Sequence, residues 1–203
     1  MISIIDYDGG NTKSVSNILH RSKIDHIITN DFNEIKNSEK IILPGVANFS
    51  YCMKNLKKKG LDEILKEEVL VKKKFFLGIC SGMQILGTNS EEGIEQGLNF
   101  IPGNIKKFSI EKSKIIPHVG WNKITHNDHK IVSGIPNNSR FYFCHSYFFE
   151  PKNLNHVMIQ ANYGLNFCAG VNYNNIFGIQ FHPEKSLYFG IKLINNFSSL
   201  QSI

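Results

Sequence analysis

Apolar positions between Ile2 and Leu86 switch repeatedly between short unbroken runs and a helical period. Ile2 to Ile5 reads as a buried strand, stopped by Asp6-Tyr7-Asp8-Gly9-Gly10-Asn11. From Thr12 to Ser22, Val15, Ile18 and Leu19 share one helical face. Ile24 to Thr29 predicts a second strand with Asn30-Asp31 as its turn, and Lys40 to Leu43 a third that runs into Pro44-Gly45-Val46-Ala47. Two helical stretches split at Gly60 follow, the second spanning Leu61 to Val71 with apolar residues at 61, 64, 65 and 69. Phe75-Phe76-Leu77 is a short buried strand, after which Met83, Ile85 and Leu86 begin another helical pattern. Beyond Asn104 the pattern turns to β, with strand candidates over 104–108, 115–121, 140–147, 156–161, 167–172 and 176–181. Leu187 to Leu200 closes as a helix with Ile191, Ile194 and Phe197 inward.

Alternation of this kind argues for an α/β fold with a doubly wound, mostly parallel sheet, to which the C-terminal half adds further β elements. Ligands of such sheets sit beyond the carboxyl ends of the strands. Asp6, Pro44-Gly45 and Cys80 all fall at that end and are expected to converge. With no internal repeat, low-complexity tract or linker, residues 1–203 read as one domain.

The first candidate chemistry is Gly78-Ile79-Cys80-Ser81-Gly82, between a strand and a helix. This is the form of a nucleophile elbow: the glycines permit a sharp turn, and the residue after the nucleophile opens a helix with its N–H outward. By itself the motif fits equally a core cysteine between packing glycines. A strand ending in His182-Pro183-Glu184 changes the balance. Residues two apart in extended chain project to one side, so the carboxylate can orient the imidazole while the other ring nitrogen faces a nucleophile. A Cys80–His182–Glu184 triad is therefore expected. Pro44-Gly45-Val46-Ala47 reads either as an ordinary turn or as the source of a second oxyanion donor beside Ser81.

Composition narrows the class. The net charge of +6 comes largely from lysine clusters at 57–59, 72–74 and 106–107, without the interleaved aromatics of a nucleic-acid surface. No apolar run approaches membrane-spanning length. Cys52, Cys80, Cys144 and Cys168 show no zinc spacing, and Met1-Ile2-Ser3-Ile4-Ile5-Asp6 has no signal-peptide character, so a cytosolic enzyme with reduced thiols and no metal is expected. Cys52, Cys144 and Cys168 read as small packing hydrophobes, His118 and His145 as hydrogen-bonded structural histidines, and Trp121 equally as core or interface.

Together these segments resemble the class I, triad-type glutamine amidotransferases, and within them the glutaminase subunits of imidazole glycerol phosphate synthases. The resemblance runs through Asp6-Tyr7 with Gly10-Asn11, Leu43-Pro44-Gly45-Val46 and Gly78-Ile79-Cys80 with Gly82-Met83-Gln84. It continues through Pro117-His118 with Gly120-Trp121-Asn122, Phe141-Tyr142-Phe143 with His145-Ser146-Tyr147, and Gln180-Phe181-His182-Pro183-Glu184-Lys185-Ser186. It implies a flavodoxin-like sheet with added antiparallel strands, and hydrolysis of L-glutamine through a Cys80 thioester with no cofactor. It implies His182 as acid and base, Glu184 as its orienter, and backbone N–H groups of Val46 and Ser81 as the oxyanion hole. Gly45, Gln84, Ser146 and Tyr147 match positions that hold glutamine, and Asn11, Trp121 and Lys185 match the interface with a (β/α)8-barrel cyclase partner that receives the ammonia.

Three positions depart from the family pattern, which usually has Gly at 47, Leu at 81 and Gly at 8. A Cβ at Ala47 penalises positive φ by about 1–2 kcal/mol, and Asp8 adds a charge to the docking edge. These, with the run Leu86 to Gly93, leave a second reading: a paralogue supplying ammonia to a different barrel partner, for instance one that aminates a surface-polysaccharide sugar. A catalytically silent binding subunit would require an idle triad.

Overall fold

The computed structural model describes residues 1–109 and 115–201. Its N-terminal half runs β1 (Ile2–Ile5), α1 (Thr12–Arg21), β2 (His26–Thr29), α2 (Phe32–Asn37), β3 (Lys40–Gly45), α3 (Phe49–Lys58), α4 (Leu61–Lys66), β4 (Phe75–Cys80) and α5 (Ser81–Gln84). The second half runs β5 (Asn89–Ser90), β6 (Gly103–Lys107), β7 (His118–His126), β8 (Arg140–His145), β9 (Tyr147–Pro151), β10 (Val157–Asn162), β11 (Asn166–Tyr173), β12 (Ile176–Ile179) and α6 (Leu187–Ser198). The strand order β2-β1-β3-β4-β12 is parallel throughout, and β12-β11-β10-β7-β8 continues it antiparallel. β9 pairs with β11 and β6 as a separate branch. The expected mostly parallel sheet with antiparallel additions is what forms.

Strands buried on both faces need apolar side chains on both, and β1, β3 and β4 have them. One face packs Val15, Ile18 and Leu19 of α1 and Leu193, Ile194 and Phe197 of α6. The other packs Phe49, Met53 and Leu56 of α3 and Leu61 and Leu65 of α4. The parallel register places Gly45 beside Cys80 and Ile79 beside Ile179, so the loops after β3, β4 and β12 leave the sheet at one rim.

Several elements differ from expectation. Asp31 is an N-cap rather than a plain turn: its Oδ1 accepts from Asn33 N at 2.8 Å and Glu34 N at 3.0 Å, opening α2. The helix expected to Val71 leaves α-geometry after Lys66 and ends in a π-helical turn, Glu67–Val71. There the buried Glu68 carboxylate meets Lys72 at 2.7 Å and Lys74 at 2.6 Å. The strand expected over 115–121 runs instead over β7, to His126, because its ladder with β8 and β10 extends that far. The single strand expected over 140–147 divides at Ser146 into β8 and β9, which join different neighbours. Cys144, expected to pack, is exposed. Alternation along β8 buries Phe141, Phe143 and His145 and turns Cys144 outward. Cys52 and Cys168 are buried as expected.

α5 is a single turn laid against β3, and its closest point is Gly82. A Cβ there would drive into the Leu43 carbonyl oxygen, a backbone atom that cannot step aside. Gly82→Ala is therefore expected to cost about 1–3 kcal/mol or more by overpacking, seen as a lower urea midpoint at unchanged m-value; an unaltered midpoint would contradict the packing described.

Candidate active site

Cys80 ends β4 with φ +56° and ψ −113°, a conformation that L-residues avoid and that places the side chain at the sheet rim. Its sulfur lies 3.7 Å from Gln180 Nε2 and 3.9 Å from the Cys144 carbonyl oxygen. His182 leaves β12 on the adjacent side, its N–H donating to Tyr142 O at 2.9 Å, with Pro183–Lys185 turning directly after it. Its Nδ1 lies 2.8 Å from Glu184 Oε1, and Cys80 interacts with the same ring. Both side chains are almost fully buried, at 4% and 3% exposure. Burial alone would push the imidazole down; its interactions with Cys80 and Glu184 overcome it and hold His182 at about 10. The ring is thus charged near neutrality and faces the sulfur.

The loop after β3 closes over this group. The Val46 and Ala47 N–H groups both donate to Gly9 O, at 2.8 and 3.3 Å. Ser81 Oγ donates to Ala47 O at 2.7 Å, and the Cys52 thiol approaches the same oxygen at 3.6 Å. Next to Gly9, Asp8 has φ +64° and pairs with Lys59 Nζ at 2.8 Å. Ala47 is not among the described residues with positive φ, so its Cβ is unstrained in this arrangement.

A cavity of about 320 Å³ opens beside the sulfur, lined among others by Gln84, Glu92, Ser146, Tyr147 and Lys185. Of the residues expected to hold substrate, Gln84, Ser146 and Tyr147 reach it; Gly45 instead packs beneath, against Ser81 and Gly82. Gln84 Nε2 donates to Tyr147 O at 2.9 Å and to Gln180 Oε1 at 3.0 Å. Glu92 was not foreseen. Its half-buried carboxylate accepts from Phe49 N at 2.8 Å, and burial, only partly offset by that bond, pushes its pKa up. Nothing in Ser90-Glu91-Glu92-Gly93 distinguishes it from a solvated acidic run. Gln180, which touches the sulfur, could have been found from its place in the strand leading to His182.

The three positions expected at an interface are all at the surface. Trp121 is 40% exposed and stands edge-on to Tyr142 at 6.2 Å, with Lys185 Nζ 5.4 Å from the same ring. Asn11 caps α1, its Oδ1 accepting from Ser14 N at 3.2 Å. A second cavity, of about 470 Å³, lies between Ser14, Asn17 and Arg21 of α1 and Lys185. Among the described residues no helix is long and apolar enough to cross a membrane.

A buried, charged imidazole between a carboxylate and a thiol at the rim of a doubly wound sheet defines a cysteine hydrolase that works through an acyl-enzyme. Residues 3–198 match the family described as glutamine amidotransferase class-I, and the chain belongs to that family. It is 44% identical over 201 residues to the imidazole glycerol phosphate synthase subunit HisH 2 of Pseudomonas aeruginosa, covering 98% of this chain and 100% of that one. It is also 44% identical over 204 residues to the corresponding HisH subunit of Leptospira interrogans, with the same coverage. Among solved structures, a putative GMP synthase protein from Thermoplasma acidophilum superposes with a TM-score of 0.72 at 21% identity, covering 97% of this chain and 91% of that one, a likeness of fold.

Because the folded His182 pKa is raised from an unfolded value of about 6.5, its contribution to stability is complete below that value and disappears as pH rises through about 10. Glu184→Gln removes the carboxylate from Nδ1. Calorimetric melting from neutral pH to about 10 is expected to show a shallower decline of Tm in this variant than in the wild type; equal slopes would mean that the carboxylate does not hold the ring charged.

Proposed function

We propose that this chain is the glutaminase subunit of an imidazole glycerol phosphate synthase, hydrolysing L-glutamine to glutamate and ammonia and passing the ammonia to a (β/α)8-barrel cyclase subunit in histidine biosynthesis. The observation that carries the reading is the Cys80–His182–Glu184 geometry in a chain 44% identical, over nearly all its length, to a subunit of such a synthase. Residues 1–203 act as one amidotransferase domain in this reading. A cytoplasmic location follows from the need to keep a nucleophilic Cys80 reduced.

The Cys80 sulfur attacks the side-chain carbonyl carbon of glutamine, and the carbonyl electrons move onto oxygen. The Ser81 N–H, at the first position of α5, and the Val46 N–H are the donors for that oxyanion. His182 Nε2 gives its proton to the departing nitrogen, ammonia leaves, and a thioester remains. Water then attacks the thioester, losing a proton to His182, and the C–S bond breaks, releasing glutamate and restoring the Cys80 sulfur beside a charged His182. Glu184 holds the ring through Nδ1 throughout. Glu92 supplies a carboxylate for the α-ammonium of glutamine, with Gln84, Ser146 and Tyr147 around the rest of the amino acid and Gly45 keeping the β3 end close to Ser81. Asn11, Trp121 and Lys185 form part of the face that meets the barrel.

The Val46 N–H rests on Gly9 O, so its peptide must rotate before it can serve the oxyanion. That rotation is what docking of the barrel would favour, and without the barrel hydrolysis is slow. Ser81→Ala keeps the backbone donor but removes the hydroxyl from Ala47 O. It is expected to raise partner-free glutaminase activity by about twofold to tenfold, the range for one neutral hydrogen bond; no rise would exclude that hydroxyl from the restraint. In the complex, Cys80→Ala is expected to abolish glutamine-dependent synthesis while leaving synthesis from added ammonium salt intact. Loss of both would trace the defect to folding or docking, and survival of the glutamine-dependent rate would refute the nucleophile.

A further inference from the structure

A line of hydrogen bonds runs inward from the surface of β7 to the nucleophile. Asn122 Nδ2 donates to Asn162 O at 2.8 Å and lies 3.3 Å from His118 Nε2. His118 Nδ1 is 3.0 Å from His145 Nε2, and His145 Nδ1 is 2.8 Å from Tyr147 O. That carbonyl also accepts from Gln84 Nε2, whose second hydrogen goes to Gln180 Oε1; Gln180 Nε2 then reaches Cys80 Sγ. His118, His145, Gln84 and Gln180 are all buried.

Each proton on this line is fixed by its neighbours. Burial pushes His118 down to about 4 and His145 down to about 3, so both rings are neutral at physiological pH. Tyr147 O can only accept, which puts the His145 proton on Nδ1 and leaves Nε2 as an acceptor. His118 must then donate from Nδ1, and its bare Nε2 accepts from Asn122. The remaining Asn122 oxygen accepts from Lys123 N at 2.8 Å, so that amide is oriented too. His118 is stacked between Tyr163 and Phe143, with centroids at 4.0 and 4.8 Å, which fixes the plane of its ring. A polar chain satisfied in one direction only is more rigid than its separate bonds.

We infer that His118 and His145 are positioning residues for glutamine binding. By fixing the Tyr147 carbonyl they commit both amide hydrogens of Gln84 inward, so that Gln84 presents its Oε1, an acceptor, to an N–H of the bound amino acid. This rests on the glutaminase reading and deepens it by naming two residues outside the triad that set substrate affinity.

The test measures glutamine hydrolysis by the complex with the barrel subunit, together with Tm. His118→Phe keeps an aromatic ring in the stack but removes both nitrogens. His145→Asn keeps an amide N–H near the position of Nδ1, whereas His145→Leu keeps none. His118→Phe and His145→Leu are expected to raise KM for glutamine about tenfold, equivalent to about 1.4 kcal/mol, with kcat changed by less than about threefold. His145→Asn is expected to recover most of the wild-type KM. An unchanged KM, or a loss confined to kcat that tracks the folded fraction, would reduce the pair to core packing and overturn the inference. If the wild-type complex does not hydrolyse glutamine, the glutaminase reading itself falls and this inference with it, an outcome separable from the others because it appears before any substitution.

Discussion

β4 lies between β3 and β12, and the pairing of Gly45 with Cys80 on one side and Ile79 with Ile179 on the other fixes what can meet at the rim. Side chains alternate along a strand, so a slip of one residue would exchange the side chains packed on the two faces and swing the following loops away. The core prevents it: Ile41 and Leu43 pack on one face of β3 while Ile42 packs on the other, and β4 is likewise divided. Hydrophobic burial on two faces therefore sets the register, and the register sets the catalytic distances. The strained backbone at Cys80 persists because these surroundings over-determine it.

The resting site is assembled unevenly. Sulfur, imidazole and carboxylate already touch, with His182 charged. The loop opposite is turned the other way, its N–H groups spent on Gly9 O and its Ala47 carbonyl tied to Ser81. Nucleophile and proton donor are thus ready, while stabilisation of developing negative charge, often the largest single contribution to such catalysis, is withheld. Two of the three positions singled out in the sequence, Ala47 and Ser81, lie within this restraint rather than in the triad.

Much of this arrangement was legible in the order of residues. The elbow and the His-Pro-Glu turn are local, and local spacing dictates where their side chains project. The parallel sheet followed from strand–helix alternation. What escaped were features created by distance: Glu92 becomes a cavity residue only because its loop folds back on Phe49 N, 43 positions away. Likewise, no periodicity announces that β8 and β9 part at Ser146, since both halves are equally apolar and aromatic. His118 and His145 were foreseen as hydrogen-bonded, but not that their partners would lead to the nucleophile. The state of the β3 loop also escaped, because motif residues specify which peptide can turn and not which way it rests.

Cys144 is a second solvent-accessible sulfur. It is solvent-facing, it lines the same opening as Cys80, and its carbonyl oxygen sits against the Cys80 thiol. A small electrophile without an amino-acid framework can therefore be captured at the mouth instead of the floor, and the number of labels incorporated does not identify which sulfur reacted. Selective tagging of the deeper one calls for a reagent shaped like glutamine, whose ammonium and carboxylate groups select the seat before its warhead reacts.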